Sequence, residues 1–181
     1  MKTSGIHKIT ICALFCALII IGTFIKIPIP PVPVTLQTLF VILAGLVAGA
    51  KLGTVSVVVY ALLGLAGLPI FSGGSGGIGY IVTPTFGYII GFVIAAYSAG
   101  KISAGVVLYK KCLLASFVAM GIIYVCGIVW YCLVQALYFK VTTDFAKLAL
   151  SFFLLPLAKD VAICFMTAGL AVRLRKALNF T

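Results

Sequence analysis

Residues 148–172 read LALSFFLLPLAKDVAICFMTAGLAV, an apolar stretch that carries two adjacent charges, Lys159 and Asp160, near its middle. A helix of this length spans about 37 Å, enough to cross the roughly 30 Å hydrocarbon core of a bilayer. A charge at mid-membrane costs about 2.5 to 3.5 kcal/mol, and such groups usually face a cavity, a partner or a substrate. The stretch therefore predicts a membrane helix whose two central charges need a partner.

Two interpretations of Lys159 and Asp160 are open at this point. One is an internal ion pair that joins two helices, and the other is a ligand site. Adjacent side chains on a helix point about 100° apart. We therefore expect Lys159 and Asp160 to serve two different partners, or two ends of one ligand, rather than each other.

The composition is that of an integral membrane protein. The 181 residues are 64% hydrophobic and 8% charged, whereas about 25% of residues are charged in soluble domains. The net charge of +11 comes from basic residues between the apolar segments, which indicates membrane topology and argues against nucleic-acid binding. The six cysteines have neither metal-ligand spacing nor a secreted context, so no metal site is expected.

The apolar segments predict a single all-α membrane domain, residues 1–181, with six transmembrane helices. Their expected ranges are about 9–25, 35–50, 52–68, 84–98, 112–139 and 148–172. With six spans both termini share one side, which then carries nine Lys and Arg residues against three on the other. The positive-inside rule therefore predicts cytoplasmic N and C termini in a multi-pass protein of the cell membrane.

A glycine-rich segment without charges, residues 69–88, separates the third and fourth predicted helices. Irregular backbone at membrane depth is tolerated where it is buried or lines a cavity, so we expect a pocket wall or lid. Thr83 followed by Pro84 is typical of a helix start. The positive dipole end of that helix would face the pocket and favour an anionic group.

Five motifs together resemble one family over nearly the whole length of the chain. They are Ala13-xxx-Ala17, PVPVTLQ at 31–37, GLAGLPIFSGG at 64–74, TPTFGY at 83–88, and Asp160 following Pro156. The sequence is similar to the BioY family, the biotin-specific substrate-binding (S) components of energy-coupling factor (ECF) transporters. It departs from the family at Thr83 and Phe86, where members commonly read Gly-Pro-Thr-Gly-Gly-Tyr. It also has Ile163 in place of the lysine of a common Asp-x-x-Lys motif.

The resemblance implies a fold, a function and partners. The fold is an ECF S-component-like bundle, and the function is capture of biotin from outside the cell. The partners are an ECF transmembrane coupling protein and two ATPase subunits. The chain has no Walker motif, so ATP is used only by the partners and no cofactor of its own is expected.

The resemblance also implies site residues. In biotin, ureido N–H groups suit a carboxylate acceptor, and the carboxylate tail suits a lysine or a helix N-terminus. The implied substrate-binding residues are Asp160, Lys159, Gln37, Thr83, Thr85, Gly87, Tyr88, Gly73 and Gly74. Ala13 and Ala17 form a small-xxx-small step that lets the coupling protein approach closely.

Alternatives remain beside the resemblance. A self-contained secondary carrier or facilitator would transport biotin or a related vitamin without partners. An intramembrane enzyme could use Lys159 and Asp160 as acid and base, but the chain has no His-Glu-x-x-His motif and its one histidine, His7, is near the N-terminus. Four aromatic residues of the fifth predicted helix suit an interfacial belt at least as well as a ligand cage: Tyr124, Trp130, Tyr131 and Tyr138.

Overall fold

The computed structural model describes residues 5–27, 34–105, 107–139 and 155–177. Its regular secondary structure is helical apart from one pair of two-residue strands, and irregular segments connect the helices. The elements are α1 (Gly5–Phe24), β1 (Lys26–Ile27), β2 (Val34–Thr35), α2 (Gln37–Leu65), α3 (Phe86–Ile102), α4 (Tyr109–Val134) and α5 (Leu155–Ala177). A 3₁₀ turn, Ile78–Val82, precedes α3, and a π-helical turn, Gln135–Phe139, continues α4.

Helix α2 consists of two arms that fold back on each other at Gly49. This residue has φ 82° and ψ 172°, a conformation that glycine adopts without a side-chain penalty. A Cβ atom on Gly53 would lie 2.6 Å from the carbonyl oxygen of Ala44, whereas a straight helix separates these residues by about 13 Å. The two helices expected over 35–50 and 52–68 therefore correspond to the arms 37–48 and 50–65.

The start of α3 differs from the expected one. The helix begins at Phe86, and Thr85 occupies the N-cap position without a side-chain capping bond. The Thr83 hydroxyl instead donates to the carbonyl oxygen of Tyr80, at 2.6 Å. The prediction that Thr83 caps a helix at Pro84 is wrong, because the Thr83 hydroxyl is hydrogen-bonded to the preceding 3₁₀ turn. For α5, the described helix begins at Leu155, and the expected residues 148–154 lie outside the described part.

Small residues let the helices pack closely. A Cβ atom on Gly45 would collide with the backbone of Ala96. The absence of a side chain at Gly45 therefore lets α2 and α3 lie in close contact. Similarly, Gly91 on α3 lies against the backbone of Ile123 on α4. Close backbone approach at small residues is the usual packing mode of helices in membranes.

The sheet has two short strands. β1 pairs antiparallel with β2, with Lys26 opposite Thr35, so the two ends of the α1–α2 connection meet beside α2.

The outer surface is apolar. Within the described residues, Gly5–Phe24 and Tyr109–Tyr138 are each long and apolar enough to cross a membrane. Gln37–Leu65 is equally apolar but is divided into its two arms, and Phe86–Ile102 is a shorter apolar helix. Large aliphatic side chains such as Ile9, Leu62 and Val125 are 60–70% exposed. Apolar surface of this extent marks contact with a membrane or a partner. The chain is therefore a helical membrane protein.

The C-terminal ends of α3 and α5 are joined by a buried cation. Arg175 on α5 donates to the carbonyl oxygens of Ser103, at 2.8 Å, and Gly105, at 3.3 Å. Lys111 at the start of α4 donates to the intervening carbonyl of Ala104, at 2.7 Å. These bonds satisfy carbonyl groups that a helix C-terminus otherwise leaves without partners.

Candidate functional site

A pocket lies between α2, α3, α4, α5 and the segment that connects α2 to α3. It is partly open to the surface and contains about 630 Å³ of empty space when the open mouth is counted. The lining residues are Thr35, Gln37, Thr38, Tyr60, Ser72, Tyr80, Thr85, Tyr88, Ile89, Phe92, Ile123, Tyr124, Lys159 and Asp160. Aromatic and aliphatic walls that enclose a few polar groups are typical of a site for a small, partly polar ligand.

The charged end of the pocket is built by α4 and α5. Asp160 is 4% exposed, and its Oδ2 accepts a hydrogen bond of 2.7 Å from the Tyr124 hydroxyl. The other oxygen, Oδ1, lies 2.9 Å from Lys159 Nζ, an ion-pair distance. No donor of the described residues is aligned with Oδ1 in hydrogen-bond geometry. This oxygen is therefore charge-paired with Lys159, and because a carboxylate oxygen has two lone pairs it can also accept a ligand donor.

The expectation that Lys159 and Asp160 avoid each other is wrong. Although the two side chains leave the helix at different angles, the four methylene groups of lysine let its ammonium group fold back to Asp160. The same ammonium group donates to the carbonyl oxygen of Thr35 at 2.5 Å. In this arrangement the two charges lie at one end of the pocket, so they cannot hold opposite ends of an elongated ligand.

Two neutral polar groups in the pocket wall make no aligned hydrogen bond in the described part of the protein, although the Gln37 side chain lies near the Tyr60 hydroxyl. They are the side-chain nitrogen of Gln37, which is 5% exposed, and the Ser72 hydroxyl. A buried polar group without a partner costs about 1 to 3 kcal/mol. A ligand with polar atoms on its surface would satisfy both groups, which supports a binding role for this wall.

The glycine-rich segment forms the other wall through Tyr80. The Tyr80 hydroxyl lies 2.9 Å from Thr85 Oγ1, and its ring packs on the fully buried Phe71, with centroids 4.6 Å apart. Burial raises the pKa of Tyr80, so its hydroxyl stays protonated at neutral pH. Phe71 also packs edge-on against Tyr60 on α2, at 5.5 Å. The segment is therefore an ordered wall anchored by an aromatic cluster.

Five of the nine predicted substrate-binding residues line the pocket: Gln37, Thr85, Tyr88, Lys159 and Asp160. The other four do not line it, and they occupy supporting positions. Thr83 lies directly behind Thr85, with 3.3 Å between their hydroxyl oxygens. Gly87 lies against Trp130, where a Cβ atom would collide with the indole side chain. Gly73 and Gly74 have positive φ angles of 88° and 73° in the turn between Phe71 and Ser75.

The aromatic residues of α4 do not form one belt. Tyr124 is 5% exposed and contacts Asp160, whereas Tyr138 is 62% exposed. Trp130 donates its indole N–H to the carbonyl oxygen of Thr83, at 3.2 Å. The belt interpretation is therefore wrong for Tyr124, which belongs to the pocket. No local sequence signal distinguishes it from its neighbours.

The two departures from the family pattern lie outside the pocket lining. Ile163 is 3% exposed and packs in the apolar core. Phe86 packs edge-on against Trp130, with ring centroids 5.5 Å apart. Lys159 instead supplies the cation beside Asp160.

The two alanines predicted to contact the coupling protein lie on α1. Ala13 and Ala17 are both exposed.

These features define a class of protein: a helical membrane protein with a pocket that pairs a carboxylate with aromatic walls. The BioY family model matches residues 1–180, and the chain belongs to the BioY family. A BioY protein of Lysinibacillus sphaericus is 36% identical over 181 residues, which cover 99% of this chain and 92% of that protein. The biotin transporter BioY of Thermotoga maritima is 42% identical over 115 residues, 64% of this chain and 68% of that one.

A solved structure has the same fold. The crystal structure of the S component for biotin from an ECF-type ABC transporter superposes with a TM-score of 0.82. The alignment has 26% sequence identity and covers 97% of this chain and 94% of the other. The fold is therefore that of an ECF S component.

Proposed function

We propose that this protein is the biotin-binding S component of an ECF transporter, which captures biotin outside the cell for uptake. Membership of the BioY family carries the assignment of biotin. The family is one of transporter components and not of enzymes. The observation in this chain that supports it best is Asp160, a buried carboxylate in the pocket lining whose Oδ1 pairs with Lys159 and can accept one more donor.

The chemistry of the pocket suits the parts of biotin. A ureido N–H group donates to Asp160 Oδ1, which is a charge-assisted hydrogen bond. The apolar ring system and the tail pack against Tyr88, Ile89 and Phe92. Because Lys159 is engaged at the same end as Asp160, the carboxylate tail binds elsewhere. We assign it to the N-terminal end of α3 at Thr85, where the helix dipole favours an anion.

The proposal includes the membrane arrangement and the partners. The chain spans the cell membrane six times, with both termini in the cytoplasm and the pocket open to the outside. An ECF coupling protein contacts α1 at Ala13 and Ala17, and two ATPase subunits supply the energy. No cofactor of the chain's own takes part.

Calorimetry of the purified full-length chain tests the ligand assignment. We expect saturable binding of biotin with one site per chain, and no binding of thiamine or riboflavin under the same conditions. Binding of another vitamin in preference to biotin would overturn the assignment.

Uptake into vesicles separates the S component from the runner-up function, a self-contained carrier. Vesicles that contain only this chain should bind biotin without accumulating it, even when an ion gradient is imposed. Vesicles that also contain the coupling protein and the ATPases should accumulate biotin when ATP is supplied. Accumulation by the chain alone, sensitive to the gradient, would favour the carrier.

A further inference from the structure

Tyr124 is placed to orient the carboxylate of Asp160. Its hydroxyl donates to Oδ2 at 2.7 Å, and both residues are at most 5% exposed. A carboxylate can rotate about its terminal torsion, which has a broad energy profile. The bond to Tyr124 fixes this rotation and occupies Oδ2, which leaves Oδ1, at 2.9 Å from Lys159 Nζ, as the oxygen that can accept a further donor.

The surrounding contacts make Tyr124 a rigid donor. One turn away on each helix, Met120 and Cys164 pack with their sulfur atoms 3.8 Å apart. The pairs 124–160 and 120–164 run in opposite directions along α4 and α5, so these helices are antiparallel here. Tyr88 packs edge-on against the Tyr124 ring, with centroids 6.4 Å apart. Tyr88 thus packs against the Tyr124 ring, and the Met120–Cys164 contact fixes the two helices one turn away, while the Tyr124 hydroxyl contacts Asp160.

We propose that Tyr124 is a positioning residue for ligand recognition: it holds Asp160 so that Oδ1 accepts the ureido N–H of biotin. This inference rests on the proposed function. It assigns the Tyr124 hydroxyl a role through Asp160, to which it is hydrogen-bonded, although the Tyr124 ring lines the pocket. Its consequence is selectivity. An acceptor fixed at one position binds a ligand with an N–H group at that point more tightly than a ligand without one.

The test compares biotin with an analogue that is methylated at the ureido nitrogens and cannot donate there. In the unaltered protein, biotin should bind at least about tenfold more tightly than the analogue, because a charge-assisted hydrogen bond is lost. In Tyr124→Phe we expect the affinity for biotin to fall about tenfold, while the affinity for the analogue changes less than about twofold. A purely structural tyrosine would instead lower both affinities by the same factor.

Two further proteins complete the experiment. Tyr131→Phe removes a hydroxyl from the same helix outside the pocket lining, and it should preserve the preference for biotin. Replacement of Tyr124 by 4-aminophenylalanine keeps an N–H donor at the para position and should restore the preference. This second variant also gives an answer if Tyr124→Phe does not fold.

The outcomes separate this inference from the proposed function. If the unaltered protein does not prefer biotin over the methylated analogue, the contact between the ureido group and Asp160 is refuted, and the inference with it. If that preference is present but Tyr124→Phe retains it in full, only the role of Tyr124 is refuted. Failure of 4-aminophenylalanine to restore a lost preference would also refute it.

Discussion

The ammonium group of Lys159 donates a hydrogen bond of 2.5 Å to the carbonyl oxygen of Thr35, a residue 124 positions earlier in the chain. Thr35 is the last residue of β2, and Leu36 alone separates it from the α2 arm that begins at Gln37. Because the same ammonium group lies 2.9 Å from Asp160 Oδ1, one lysine joins the α1–α2 connection to the carboxylate of the pocket. Lys159 is therefore placed to support Asp160 and the pocket rim rather than the far end of a ligand.

This geometry predicts the behaviour of Lys159→Met. We expect the affinity for biotin to fall about five- to tenfold, since a buried carboxylate loses its cation. The affinity for biotinamide, which has no charged tail, should fall by the same factor. Calorimetry with both ligands measures the two changes.

Lys26→Met is the matched control, because Lys26 is an exposed lysine of β1 outside the pocket lining. It should leave both affinities unchanged. A loss confined to biotin in Lys159→Met would show that Lys159 binds the carboxylate tail, and our assignment of the tail to α3 would be wrong.

The second prediction concerns Asp160→Asn. The asparagine oxygen can still accept from Tyr124, but its amino group then faces the ligand N–H, so a donor meets a donor. Biotin binding should weaken by about 2 to 4 kcal/mol. Stability should change less than binding, because Lys159 is 24% exposed and keeps its bond to Thr35, so its ammonium group is not left buried without a partner.

The experiment pairs the affinity for biotin with the melting temperature of the ligand-free protein. Removal of one partner from a purely structural buried ion pair costs several kcal/mol of stability. Unchanged affinity together with a large drop in melting temperature would therefore show that Asp160 stabilises the fold and does not bind the ligand.

The third prediction concerns the exposed face of α1. Ala13→Leu or Ala17→Leu should abolish ATP-driven biotin uptake by the complete transporter, because the larger side chain keeps the coupling protein away. Biotin affinity of the isolated chain should not change, since neither alanine lines the pocket. Ala162→Leu adds the same side chain at an exposed position of α5 and should leave uptake intact. Equal loss of binding and uptake would show that the α1 positions serve the fold.

Much of the fold was predictable because its signals are local. Apolar runs interrupted by glycine and charge mark the helices, and Gly49 marks the turn between the arms of α2. The isolated charges of Lys159 and Asp160 mark the site, because a membrane makes such residues costly. The start of α3 was less predictable, since the cap signal at Thr83 competes with the 3₁₀ turn before it.

The partners of the site residues depend on helix rotation, which the sequence does not specify. Tyr124 lies 36 positions from Asp160, on a helix with several other aromatic residues. The pairing of Lys159 with Asp160 depends on the conformation of a flexible side chain, which a helical angle does not determine. These contacts required the three-dimensional arrangement.

The last prediction concerns the glycine-rich wall as a lid over the pocket. Gly73, Gly74 and Gly77 adopt φ angles of 88°, 73° and 93°, which other residues rarely adopt. The wall is anchored at Phe71, which is fully buried, while Gly73 and Gly74 are exposed. Such a segment can open at its glycines and close when a ligand contacts Ser72 and Tyr80.

Hydrogen exchange of the purified chain measures this closure. Amides of residues 72–79 should exchange more slowly when biotin saturates the site, because ligand contacts suppress local opening. Amides in the middle of α1 provide the internal reference, since α1 contributes no side chain to the pocket lining, and their exchange should not change. Equal exchange of residues 72–79 with and without biotin would show that this wall is static and that the ligand enters by another route.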